Sequence, residues 1–262
     1  MVHNSGHNST LRIAAVVLIS AAFASAEQPP SADEIARRMV EHESRRLQSM
    51  YGYTSVRRYH LVNPGHKTEA DMLVRATVSR SGAKTFEVLS QHGSPSVCRF
   101  IFTRMLQTEQ EAARPEVLEA NRIIPSNYSF ALVGMEQIGG RGAYILKATP
   151  RVRTKYLIEG RVWIDTRDFA IVRIEGAPAK APSFWVKSAR FVHTYKQQGP
   201  FWLAAADHSE TDARIFGLTK VDIDYVSYSL NPPDSERRVS GADAHHPVVL
   251  PSAFVPVLNE IK

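Results

Sequence analysis

Between positions 71 and 80 the chain alternates strictly. Met72, Val74, Ala76 and Val78 fall on one side, and Leu73, Arg75, Thr77 and Ser79 on the other. A period of two places successive side chains on opposite faces of a strand. The same rhythm sets Val221, Ile223 and Tyr225 against Lys220, Asp222 and Asp224. It also sets Tyr156, Ile158, Val162 and Ile164 against Glu159, Arg161 and Asp165. Read along its length, the pattern predicts strands over 53–62, 71–80, 84–91, 128–138, 143–148, 156–165, 169–175, 184–197, 202–214 and 219–229. Tight turns separate them: the Gly139-Gly140 cluster, the polar run Asp165-Thr166-Arg167-Asp168, Gly199-Pro200 and Phe216-Gly217. Sequential hairpins with one apolar face predict an antiparallel meander that curls over its own core. The fold class is mainly β, with a smaller helical part.

Two stretches break the rhythm. Ser31 followed three residues later by Glu34 has the form of a capping box. It opens a helix to about residue 50, with Ile35, Met39, Val40, Leu47 and Met50 as a partial apolar stripe. From about 103 to 120 the pattern is again helical and rich in glutamate, and Pro115 is placed to start a second short helix at its first turn.

The ends of the 262-residue chain differ in composition from the middle. Arg12, an apolar run over 13–23 and then Ala24-Ser25-Ala26 have the three parts of an export leader, with cleavage expected after Ala26 and a periplasmic destination. The run is short for a permanent membrane span. Residues 27–230 are expected to form the folded domain. Residues 231–262, rich in proline and charge but ending in the apolar segments 248–250 and 254–258, read as an extension that either docks on the domain or stays loosely ordered.

The net charge is +6, carried by basic residues scattered singly. No aromatic and basic alternation of the nucleic-acid-binding kind occurs, so nucleic acid is excluded as a partner. For an exported chain this mild positive balance favours anionic lipid surfaces. The lone Cys98 lies among apolar residues and is expected to be buried and inert. Catalytic motifs fail in detail. His42-Glu43 lacks the second histidine of a zinc helix, since Arg46 holds that position, and Asp207-His208-Ser209 occupies adjacent positions that face opposite ways. Asp222 and Asp224 share a face but read as a solvated strand surface, and His245-His246 lies in the tail. No catalytic residue, metal site or cofactor is expected.

Within 134–176, the residues Gly134, Glu136, Gly140-Arg141, Tyr144 and Leu146, then Trp163-Ile164-Asp165, then Arg173-Ile174-Glu175 form an ordered set. It continues in Pro182-Ser183-Phe184-Trp185-Val186, Phe201-Trp202-Leu203 and Phe216-Gly217-Leu218. This set resembles the LolA/LolB superfamily of lipoprotein carriers and receptors, which includes the N-terminal domain of the RseB/MucB stress regulators. Residues 78–86 lack the proline and tryptophan of the carriers' early hairpin, so the resemblance is to a divergent branch. It implies an incomplete barrel, a strongly curved antiparallel sheet with helices over its concave face. It also implies a monomeric, non-enzymatic periplasmic protein whose partners are lipid or the acyl chains of lipoproteins. The apolar set expected to line the space is Met72, Val74, Tyr128, Phe130, Leu132, Ile158, Val162, Ile164, Val221 and Ile223. An acyl chain gains roughly 0.8 kcal/mol per buried methylene, so an apolar cleft suffices. The other reading is a filled half-barrel serving as an envelope interaction or stress-sensing module. Phe184 and Trp185, after a loop with Pro178, Lys180 and Pro182, are candidates for transient membrane contact.

Overall fold

The computed structural model describes Met1 and residues 29–231. The expected leader and nearly all of the C-terminal extension therefore lie outside the described residues. Helix α1 (Ala32–Ser49) starts at Ser31, whose Oγ accepts the Glu34 backbone N–H at 3.2 Å. The Glu34 carboxylate binds Arg37 and Arg38 rather than returning to the cap. Three strands follow: β1 (Gly52–Asn63), β2 (Thr68–Ser79) and β3 (Lys84–Gly93). A π-helical turn (Val97–Phe102) leads into α2 (Thr103–Ala112), and α3 (Pro115–Asn121) begins on Pro115. The remainder is a seven-stranded meander: β4 (Tyr128–Ile138), β5 (Arg141–Pro150), β6 (Ile158–Asp165), β7 (Ile171–Pro178), β8 (Val186–Gln198), β9 (Phe201–Ala213) and β10 (Gly217–Leu230).

All ten strands of the described residues form one antiparallel sheet in the order β3-β2-β1-β10-β9-β8-β7-β6-β5-β4. The edges β3 and β4 do not pair, so the sheet is an unclosed barrel. The helical segment between them carries the chain from one edge to the other. Gly139 and Gly140 both take positive φ, 56° and 78°, as a two-residue hairpin between β4 and β5 requires.

Packing on the helix-covered face divides in two. Ile35, Ala36 and Met39 of α1 sit on Tyr128, Leu146, Ile158, Val162, Ile164, Ile174 and Phe191, which come from β4 to β8. Phe102, Met105 and Leu106, with Cys98, sit on Tyr59, Leu61, Met72, Val74, Val221 and Ile223 from β1, β2 and β10. Cys98 is buried as expected.

One expected alternation needs correction. β6 begins at Ile158, leaving Tyr156 41% exposed ahead of the strand, and Asp165 is buried rather than solvated. The reason is a small core on the outer face, where Ala143, Trp163 and Val172 pack with Trp202. Arg141 closes over Asp165 there, with Nε and Nη2 donating at 2.5 and 2.7 Å. Burial pushes the Asp165 carboxyl up. Arg141 and the backbone N–H groups of Arg167 and Asp168 outweigh it and hold the group at about 2.

Candidate binding site

Between the two apolar clusters runs a polar seam. β9 turns Asp207, Ser209 and Thr211 inward, all buried, and its neighbours add His193 from β8 and Tyr225 from β10. On the seam lies a cavity of about 60 Å³. His42, Glu43 and Arg46 of α1 line it from above. Arg57, Lys84, His193, Asp207 and Tyr225 line it from the sheet, with Tyr195, Trp202 and Leu203 adding ring and apolar surface.

Two hydrogen-bonded groups hold these side chains. In the first, Arg57 is almost wholly buried and donates from Nη1 to Glu109 Oε1 at 2.7 Å, while Lys84 Nζ donates to the same oxygen at 2.8 Å. Arg57 Nε donates to Ser55 Oγ, and its guanidinium lies 4.8 Å from the centre of the Tyr225 ring. Burial disfavours the Glu109 carboxylate, but the two cations prevail and hold it well below the usual carboxylate range. In the second, the Asp207 carboxylate accepts His193 Nδ1 at 2.5 Å and the Tyr225 hydroxyl at 2.9 Å. Burial keeps Tyr225 and Tyr195 protonated far above the usual tyrosine range. It also pushes His42 down, towards the neutral form. Glu43 binds Arg46 through two contacts, at 2.5 and 2.7 Å, on the α1 wall.

The other nitrogen of His193, Nε2, is buried and has no hydrogen-bond partner. An Asp-oriented imidazole is a component of acid–base catalysis, yet among the described residues no serine, threonine or cysteine lines the cavity. The arrangement can therefore bind polar groups.

The ten apolar residues expected to line a ligand space fall into the two clusters. Met72, Val74, Val221 and Ile223 lie under α2. Tyr128, Ile158, Val162 and Ile164 lie under α1, with Phe130 and Leu132 half-buried beside them. None borders the central cavity. Phe184 and Trp185 are 73% and 44% exposed, their rings 5.4 Å apart, and Arg214 lies over Phe184 at 4.7 Å. Ile215 and Leu218 are also exposed, on the neighbouring hairpin. Sequence reasoning missed Arg57, Glu109 and His193 as site residues, and weighed Asp207 only in the run with His208 and Ser209. The available signal was polar residues at inward positions of alternating strands, as in Ser55-Val56-Arg57.

On the outer face, His60, Glu69 and Asp71 bring three potential ligand atoms within 4.8 Å of one another, with His60 and Asp71 half-buried and Glu69 exposed. An open groove of about 470 Å³ lies between Arg161, Glu175, Arg190 and His208, among charges of both signs. No helix among the described residues is long and apolar enough to cross a membrane.

No family model and no curated protein matches the chain. Solved structures do. An outer membrane lipoprotein-sorting protein domain, so described, from Vibrio parahaemolyticus is 11% identical over 76% of this chain and 93% of its own, with a TM-score of 0.44. A DUF1329 family protein from Desulfovibrio piger is 13% identical over 80% and 98%, with a TM-score of 0.42. A LolA superfamily protein from Nitrosomonas europaea is 13% identical over 79% and 97%, with a TM-score of 0.37.

Proposed function

We propose that the chain is an exported, non-enzymatic binding protein of the cell envelope that takes up the acyl chain of a lipoprotein or another hydrophobic ligand between its helices and its curved sheet. One observation carries the reading. The helix-covered face is divided into two apolar clusters, each roofed by its own helix, with a polar seam between them. Separate roofs allow one helix to lift while the other half of the core stays packed. An acyl chain then replaces helix side chains against the sheet, gaining roughly 0.8 kcal/mol per buried methylene before ordering costs. The cavity as it stands has room for a few waters, so chain uptake requires that movement.

The motif set in 134–176 that resembles the lipoprotein carriers and receptors supports the same reading. The test is native mass spectrometry of the chain purified from a periplasmic extract, expected to show co-purifying lipid. A protein that stays ligand-free and excludes apolar dyes at every concentration overturns it.

A second reading has its own observation. Both clusters are built of buried side chains from helix and sheet in mutual contact, which suits an envelope interaction module that binds protein through its exterior. Partners recovered by surface crosslinking to a lipid-free protein would favour it.

A further inference from the structure

On the outer face of the sheet, His60 stands directly opposite Asp71 across β1 and β2. Glu69 lies two residues before Asp71, on the same face of β2. His60 Nδ1 is 3.0 Å from Asp71 Oδ1, and its Nε2 is 3.7 Å from Glu69 Oε1. Among the described residues His60 is the ionic partner of both carboxylates, and no lysine or arginine pairs with either. The spacing of the three along the chain forms no ligand motif; the register of the hairpin brings them together. Their neighbours Leu61, Ala70 and Met72 point the other way, into the cluster under α2. Core packing therefore holds the backbone that carries the trio, and a site on packed strands is more precise than one on a loop.

We propose that this trio binds a zinc ion, with His60 supplying a nitrogen and Glu69 and Asp71 one oxygen each. The site is separate from the acyl-binding reading, on the face of the sheet away from the helices. Zinc takes imidazole and carboxylate donors at about 2.0–2.2 Å, which sets them roughly 3.4 Å apart in a tetrahedron. One donor atom from each residue already lies within 4.8 Å of the others, and end rotations of partly exposed side chains close the difference. Two carboxylates balance the charge of the ion. Three protein ligands leave the fourth position to water or to a donor from another molecule. Calcium fits less well, since it takes about six to eight oxygens and has no use for the imidazole.

The same face carries a second trio, and the comparison selects the first. His208 Nδ1 is 2.6 Å from Asp222 Oδ1, and Nε2 is 3.7 Å from Glu210 Oε1. There Lys220 Nζ already holds Glu210 at 2.8 Å, so a cation occupies that charge. Glu69 has no such lysine. The register also sets Asp222 beside His60 and His92 beside Asp71, which adds an acid and an imidazole at the flanks of the first trio.

The test titrates the untagged protein with zinc chloride in a calorimeter, with calcium chloride as the control. Long-range proton–nitrogen spectra follow the histidine rings in parallel. Zinc is expected to bind and to shift the His60 ring nitrogens, and calcium to leave them in place. His60→Ala should weaken this binding by roughly a hundredfold and Glu69→Gln by about tenfold. Replacing His245 and His246 of the tail by alanine should leave it unchanged. The His60 signal needs no variant, so the test stands even if a substitution disturbs folding. Zinc uptake that leaves the His60 signal unmoved, or that persists undiminished in His60→Ala, would place the ion on other histidines and overturn the site. Calcium binding as tight as that of zinc would reduce the trio to an acidic surface, and a protein that takes up no zinc would overturn the proposal outright.

Discussion

Gly160 and Gly176 face each other across β6 and β7, and a Cβ built on Gly160 would lie 2.1 Å from the Glu175 carbonyl oxygen and 2.7 Å from the Gly176 Cα. Both neighbours are backbone, so neither can rotate away. Gly160→Ala is therefore expected to force the two strands apart and to destabilise by about 1–3 kcal/mol. At this chain length that is a fall of roughly 2–4 °C in melting temperature per kcal/mol. Calorimetry checks it, and an unchanged melting temperature would mean that the strands separate without cost.

Glu109 anchors the cationic side of the seam, and its removal should be felt in both stability and pH response. Glu109→Gln leaves Arg57 buried without its charge partner, a loss of about 3–5 kcal/mol in urea unfolding at neutral pH. The folded carboxylate titrates well below its unfolded value. Its contribution is therefore complete above the unfolded pKa, about 4.3, and is lost as the pH falls below it. Wild-type stability should decline between pH 5 and 3 more steeply than that of the variant. Parallel curves would remove Glu109 as the source.

Tyr128 offers a smaller test on the other side of the seam. Its hydroxyl accepts the Ile158 backbone N–H at 3.0 Å, inside the cluster under α1. Tyr128→Phe strands that buried donor and should cost about 1–3 kcal/mol. Burial pushes the phenol up to about 12. The folded state thus keeps a proton that the unfolded state releases near 10, so stability should fall as the pH rises from about 10 to 12. The phenylalanine variant should show less of that fall in chemical unfolding at alkaline pH.

Phe184 and Trp185 are expected to act at a lipid surface. Both rings are exposed beside Arg214, an arrangement suited to the headgroup region of a bilayer. Trp185 emission should shift to the blue on addition of anionic vesicles. Trp185→Ala should abolish the shift and change the melting temperature by no more than a degree or two. A vesicle-insensitive Trp185 with a large stability loss in the variant would assign the pair to packing.

Most of the sheet could be read from alternation, because a strand buried on one face writes its two faces into the chain. β4 was delimited to the residue, and Ser31 and Pro115 marked where α1 and α3 begin. Phe169 misled the reading of β7. Its φ of 61° is a left-handed turn conformation held by packing on Tyr144, which composition does not reveal. Asp165 misled it at β6, since a charged residue reads as solvated unless its partner, Arg141, is known to fold over it. The seam was hidden for a related reason. Arg57 and Asp207 each look like surface residues alone, and only the register that places β1, β10, β9 and β8 side by side brings their partners together.

The pairing of β1 with β10 also sets the order in which this molecule can mature. A chain that emerges from its amino end presents β1, β2 and β3 early, while the strand that must cover the free side of β1 arrives last among the described strands. Until then β1 displays a row of unpaired backbone donors and acceptors, the kind of edge that recruits other chains. The closing step joins segments far apart along the chain, so it carries a large loop-closure entropy and should be slow. A nascent copy of this protein is thus expected to depend on a holding chaperone, and truncations that remove β10 should aggregate rather than fold in part.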